Sequence, residues 1–146
     1  VKYIAPFVSL IHAIDSIKLL REVNKRAKQN DRTINCLLQV KIAQEDAKFG
    51  IYPDELESFI TNNEVNSLSN ISINGLMGMA SNTEDKVQVK NEFSQLLLLY
   101  NRIKNLNPTF QILSMGMSGD YKLAIDEGSN MIRVGSSIFG ARNYSK

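Results

Sequence analysis

Between Ile112 and Arg142 lie the residue types best suited to holding a charged ligand. Arg133 stands inside the short apolar run Met131-Ile132-Arg133-Val134, which is followed by Gly135 and Ser136. A guanidinium keeps its charge at any physiological pH, so within a strand that otherwise reads as buried it needs a partner. The preceding apolar run ends in the same way, as Ser114-Met115-Gly116-Met117-Ser118. Backbone N–H groups beside Ser118, Gly135 and Ser136 are the kind that hold a phosphate at a helix N-terminus. A fixed cation next to such a cup points to a phosphorylated ligand with a polar ring. Each residue also has a plainer reading: a buried ion pair to Asp or Glu for Arg133, a helix N-cap for Ser118 and a turn residue for Gly135.

Short apolar runs must position these groups. Strands are expected near Val8–Ile14, Ile34–Ile42, Ile71–Met79, Phe110–Met115 and Met131–Val134, each rich in β-branched residues or Met. Between them, Ser16–Ala27 carries Ile17, Leu20, Val23 and Ala27 on one helical face, with Asp15 as its N-cap. Pro53, Asp54 and Glu55 read as a first helical turn leading to Leu56, Phe59 and Ile60. Glu84–Lys104 places Val87, Leu96, Tyr100 and Ile103 on an apolar side, and Ser118–Glu127 closes at Gly128. A short turn is expected at Ser137–Gly140. Strands alternating with helices imply parallel β-structure with right-handed crossovers. Periodicity alone leaves two architectures open, part of a (β/α)8 barrel and an open doubly wound sheet.

In a strand the side chains alternate, so Met131, Arg133 and Gly135 share one face and Ile132 and Val134 the other. If the Arg133 face points into a barrel, its guanidinium lies at the C-terminal mouth, where barrel active sites form. Met-Gly-Met recurs at Met77–Met79 and Met115–Met117. Met77 and Met115 read as core filler, a common use of Met.

Ser114–Ser118 followed by Ile132-Arg133-Val134-Gly135-Ser136-Ser137-Ile138-Phe139-Gly140-Ala141-Arg142 resembles the C-terminal signature of the pyridoxal phosphate homeostasis family, relatives of the alanine racemase barrel. Ile11-His12-Ala13-Ile14-Asp15-Ser16, Leu38–Ile42 with Glu45–Ile51, and Gly75–Ala80 resemble the same family in the same order. The resemblance covers the whole chain. It implies a partial (β/α)8 TIM barrel of the alanine racemase N-terminal-domain type, comprising strands four to eight. It also implies that residues 1–146 form one domain, a C-terminal piece of a barrel that binds pyridoxal 5′-phosphate. By the same resemblance Arg133 meets the pyridine nitrogen and leaves it largely unprotonated, since guanidinium is a poor proton donor. The ring is then a weaker electron sink, which suits carrying the cofactor. Met117 would lie beside the cofactor, and Ser118, Gly135 and Ser136 would line the phosphate cup.

The family holds its cofactor as a Schiff base to a lysine in a segment reading roughly Ala-Val-Ser-Lys, and no stretch here resembles it. The Phe-Gly-Glu-Asn and His-Phe-Ile-Gly segments that follow it in the family are also unmatched, so the chain corresponds to the part from the end of the third βα unit. Glu45 and Lys48 are close enough to pair at the barrel mouth, with Lys48 bordering the ligand or simply solvated. Racemases of the same barrel type continue into a β domain, whereas Tyr144, Ser145 and Lys146 follow directly on the last barrel motif. The expected function is therefore pyridoxal phosphate binding in vitamin B6 homeostasis, without a reaction of its own. The alternatives are a racemase-like fragment and a barrel fragment that binds nothing and self-associates through open sheet edges.

Composition restricts the other classes. A full (β/α)8 barrel usually needs about 250 residues, against 146 here. The net charge of +2 carries no basic stripe, so no nucleic-acid partner is expected. The longest apolar run, Leu96–Tyr100, is too short for a membrane span, and no leader-like segment opens the chain. A cytoplasmic location follows as the default. Cys36 sits in an apolar run and reads as a buried structural thiol. His12, the lone histidine, reads as a hydrogen-bonded barrel residue, with no metal-ligand spacing around it.

Overall fold

The structure is a computed structural model that describes residues 1–46 and 49–141. Its elements run β1 (Leu10–Ile14), α1 (Ile17–Gln29), β2 (Ile34–Val40), α2 (Leu56–Ile60), α3 (Asn63–Asn66), β3 (Ile71–Gly78), α4 (Lys86–Leu106), β4 (Ile112–Met117), α5 (Tyr121–Asp126), β5 (Met131–Arg133) and α6 (Ser136–Phe139). All five strands pair in parallel, in the order β1-β2-β3-β4-β5. A doubly wound sheet reverses its strand order at a switch point. Here the order never reverses, so successive right-handed crossovers stack their helices on one face and leave the other to curl inward.

One contact measures the curl. His12 Nδ1 on β1 lies 3.4 Å from Ser114 Oγ on β4, although three strand spacings in a flat sheet would separate these strands by roughly 14 Å. Side chains of that size cannot bridge such a gap, so the sheet bends around its concave face as a half-barrel.

Strand alternation assigns the two faces. Cys36, Leu38 and Val40 pack into the helix-side core with Leu20, Val23, Leu76, Phe93, Leu96, Ile103, Leu113 and Met115. Leu37 and Met77 are equally buried but lie outside that core, on the concave side. Burial pushes the Cys36 thiol up to about 12, as a structural cysteine requires.

Several element starts differ from expectation. Ser16, not Asp15, caps α1: its backbone is extended and its hydroxyl accepts from Leu19 N at 3.3 Å. Helix α4 begins at Lys86 behind an Asp85 cap. That leaves Val87 exposed and makes Val89, Phe93, Leu96, Tyr100 and Ile103 the buried row. Val87 sits in the first turn on the side opposite buried Val89.

Gly75 shows how closely β3 and β4 approach: a Cβ placed there would lie 1.8 Å from the Ile112 carbonyl oxygen. Backbone cannot yield by that amount without breaking the pairing. Gly75→Ala is expected to cost about 3 kcal/mol of stability, read by urea unfolding; a cost under about 1 kcal/mol would mean the sheet tolerates the separation.

Candidate functional site

The polar side chains of the concave face converge at the C-terminal ends of β3, β4 and β5. Arg133 is half-buried, and its Nη2 lies 3.7 Å from Met77 Sδ and 3.9 Å from Met117 Sδ. The expected alternation holds, since Ile132 turns toward α5 beside Gly116. Among the described residues no carboxylate lies within ion-pair distance of Arg133. The plainer reading of Arg133 as one half of a buried ion pair therefore has no partner to support it. Thioethers are weak acceptors, so the guanidinium retains most of its capacity to donate. Burial pulls its pKa below the ordinary arginine value. Met77, expected as filler, is fully buried yet forms part of the Arg133 surround.

His12 faces the same space. Burial first, and then the Arg133 charge, hold its pKa below 6.5. The imidazole is thus neutral near pH 7 and adds no second cation.

Ser118 does something other than cap a helix. Its Oγ accepts from Gly135 N at 3.1 Å and from Ser137 N at 3.2 Å, joining the loop after β4 to the start of α6. Asp120 occupies the N-cap position of α5, without a side-chain cap bond, and its Oδ1 accepts from Met117 N at 2.7 Å. A hydroxyl that accepts two N–H bonds still has its own hydrogen to give, and among the described residues nothing accepts it. Ser136 opens α6 and is exposed. Cβ atoms built at Gly119 or Gly135 would meet nothing within 4 Å, so open space adjoins the loop on both sides. The groove of about 890 Å³ that includes Ser118, Gly119 and Ser137 does not reach Arg133; it borders only the loop end of the site.

Two supporting residues were missed in the sequence. Strand β5 is only three residues long, and side chains extend its attachment to β4. Asn130 Oδ1 accepts from Leu113 N and its Nδ2 donates to Gln111 O, both at 2.8 Å. Ser129 Oγ lies between Met115 O at 2.7 Å and Met131 O at 2.9 Å. Asn beside Ser just before a strand was the available signal, since such amides can mimic a peptide unit. Glu45 accepts from Asn82 N; Lys48, with which it was expected to pair, lies outside the described residues.

Comparison with known proteins agrees with this fold. The family model for the alanine racemase N-terminal domain matches residues 3–143. The pyridoxal phosphate homeostasis protein of Haemophilus influenzae is 34% identical over 99% of this chain and 61% of its own length. Its namesake in Escherichia coli is 31% identical over 99% of this chain and 61% of its own. The chain thus spans about three-fifths of the curated relatives it matches. PipY of Synechococcus elongatus, solved without PLP, superposes with a TM-score of 0.85 at 29% identity, covering 95% of this chain and 65% of PipY. The PipY structure with PLP bound gives 0.79 at 26% identity, covering 96% and 66%.

The placement of His12 against Arg133 has a measurable consequence. Protonating His12 is harder in the folded chain than in the unfolded one, so its contribution to stability is present above pH 6.5 and is lost as the pH falls below that value. Arg133→Gln is expected to move the His12 titration upward, followed by NMR of the imidazole. An unchanged titration would mean the guanidinium does not act on it.

Proposed function

We propose that this chain, which belongs to the alanine racemase N-terminal-domain family and within it to the pyridoxal phosphate homeostasis proteins, binds pyridoxal 5′-phosphate on its concave face and serves intracellular vitamin B6 homeostasis without a reaction of its own. The observation that carries the proposal is Arg133, a half-buried cation whose hydrogen-bond contacts among the described residues are two thioethers, set at the same end of the sheet as a hydroxyl with a hydrogen to donate and two glycines opening on free space. That donor set fits the group. Arg133 would face the ring nitrogen and hold it unprotonated, Met117 would lie against the ring, and Ser118, Gly135 and Ser136 would receive the phosphate.

Bound pyridoxal phosphate supplies a reactive aldehyde and an electron-withdrawing ring. Opposite an arginine, that ring draws electrons less strongly, and His12, held neutral, offers the face no charged acid. Both features favour holding over turnover. We further infer that binding here is non-covalent, because no stretch resembles the family's lysine-bearing segment. A cytoplasmic site of action accords with this role; no described helix is long and apolar enough to cross a membrane.

Titration with pyridoxal phosphate, followed by visible absorbance and by intact mass after borohydride reduction, tests the reading. Saturable binding without added mass is expected. A stoichiometric mass increase would show that a lysine of this chain attaches the cofactor, and absence of saturation would overturn the binding role. Arg133→Leu is expected to weaken binding about tenfold and Ser136→Ala about threefold, and unchanged affinity in both would remove these residues from the site.

Self-association has its own support. Among the described residues, strands β1 and β5 each end the sheet with an unpaired side, and Tyr3, Phe7, Ile138 and Phe139 are largely exposed. Open edges flanked by apolar side chains favour pairing with a second copy. Size exclusion with light scattering at micromolar concentration is expected to give a dimer, whereas a compact monomer would rule it out.

A further inference from the structure

Glu92 is a carboxylate that the ligand site does not use. It lies on α4 with 3% of its surface exposed, and none of the ion pairs among the described residues involves it. Burying a carboxylate without a cation is costly unless donors surround it. Three do: Ser81 N donates to Oε2 at 2.7 Å, Ser81 Oγ to Oε1 at 2.7 Å, and Gln88 Nε2 to Oε1 at 3.1 Å. Ser81 Oγ in turn accepts from Gln44 N at 2.9 Å. Donation therefore runs one way, from the Gln44 amide through the Ser81 hydroxyl to the Glu92 carboxylate.

The geography of this relay matters more than its strength. Ser81 follows the end of β3 and Gln44 follows the end of β2. Both lie at the C-terminal end of the sheet, where Arg133, Met117 and Ser118 stand. The segment after β2 leaves the sheet and returns at Ile51, where Ile51 N donates to Gln39 O and Lys41 N to Ile51 O. Its base is thus fixed by backbone bonds. Beyond that base it is held by the Gln44 amide on Ser81 and by Glu45, which accepts from Asn82 N. Apolar packing on α4 could have filled the Glu92 position at lower cost, and the carboxylate adds what packing cannot: a directional hold on two loops at once.

We propose that Glu92 is a positioning residue, which through Ser81 latches the loops after β2 and β3 together and so sets the rim of the concave face. Its effect on a ligand rests on the pyridoxal phosphate reading given above; its effect on the loops does not. The test therefore has two readouts on the full chain, amide hydrogen exchange without ligand and the release rate of pyridoxal phosphate. Glu92→Gln places an NH2 group against the Ser81 donors, and Ser81→Ala removes the relay oxygen. Each is expected to speed exchange of the Gln44 amide about tenfold, while amides in the middle of β2 and β3 keep their original rates. Ser81→Thr retains the hydroxyl and is expected to retain slow exchange, so the Ala and Thr variants decide the matter even if Glu92→Gln fails to fold.

Release of pyridoxal phosphate is expected to quicken by a similar factor in the two loosened variants. Unchanged exchange at Gln44 in Ser81→Ala would overturn the latch. Faster exchange with unchanged release would overturn its role in positioning the rim for the ligand. If the unaltered chain binds no pyridoxal phosphate, the functional reading fails and the exchange comparison alone decides whether Glu92 sets the loops.

Discussion

The concave face is organised around a charge that has no counter-charge among the described residues. A guanidinium drawn partly out of water normally takes a carboxylate or a set of carbonyls with it. Arg133 has Met77 and Met117 instead, two soft sulfurs that fill space around it and compete weakly for its hydrogens. The same charge reaches across the curled sheet and, after burial, helps hold the His12 pKa down, so His12 adds no second charge beside Arg133. A single cation beside open space suits a ligand with one acceptor at that end, and the loop end of the site meets a second acceptor with hydroxyl and glycine. The distance between the two ends is set by the backbone of β5 and its continuation into α6, not by flexible side chains.

Holding that cation in place falls to a strand too short to hold itself. Three residues of β5 cannot supply a long ladder, and the side chains of Ser129 and Asn130 make bonds to β4 that a further peptide unit would otherwise make. Ser118 repeats the device at the opposite end of the strand, where its hydroxyl receives the Gly135 and Ser137 amides. The short strand is thus anchored before and after Arg133 by hydroxyls and an amide. The interior of β5 needs no further polar partners, and Arg133 is free to face a ligand.

These dependencies explain what the sequence disclosed and what it concealed. All five strands were legible because each is a short run of β-branched residues or Met, and alternation within Met131–Val134 correctly set Arg133 and Ile132 on opposite faces. The choice of a barrel segment over a doubly wound sheet was not legible from periodicity, because both produce the same succession of strands and helices; only the family resemblance, and then the strand order, separates them. Helix starts were misread where two capping residues stand side by side, as at Asp15 and Ser16, or where an apolar residue such as Val87 stands on the exposed side of the first turn. The partners of Ser118, Ser129, Asn130 and Glu92 were hidden for a common reason. Each satisfies backbone groups remote in sequence, and a polar residue that serves a distant amide looks the same in the sequence as one that faces water.

The two ends of the concave face differ in a way that follows from side-chain size. Leu37 and Met77 are shut off from solvent on this face even though, among the described residues, its edge strands have unpaired sides, so curl and bulky side chains are enough to close its interior. Toward the C-terminal ends of the strands the residues become Met117, Ser118 and Gly135, small or flexible, and Met117 is 38% exposed. Large side chains that would complete the inner layer are replaced there by glycine and serine, which leave volume unfilled and N–H and O–H groups unhidden. A barrel-type sheet that packs its lower layers tightly can carry such an opening at its upper end without losing its core. Stability and ligand access are thereby assigned to different layers of the same strands, and Arg133 lies at the boundary, its guanidinium between buried Met77 and partly exposed Met117.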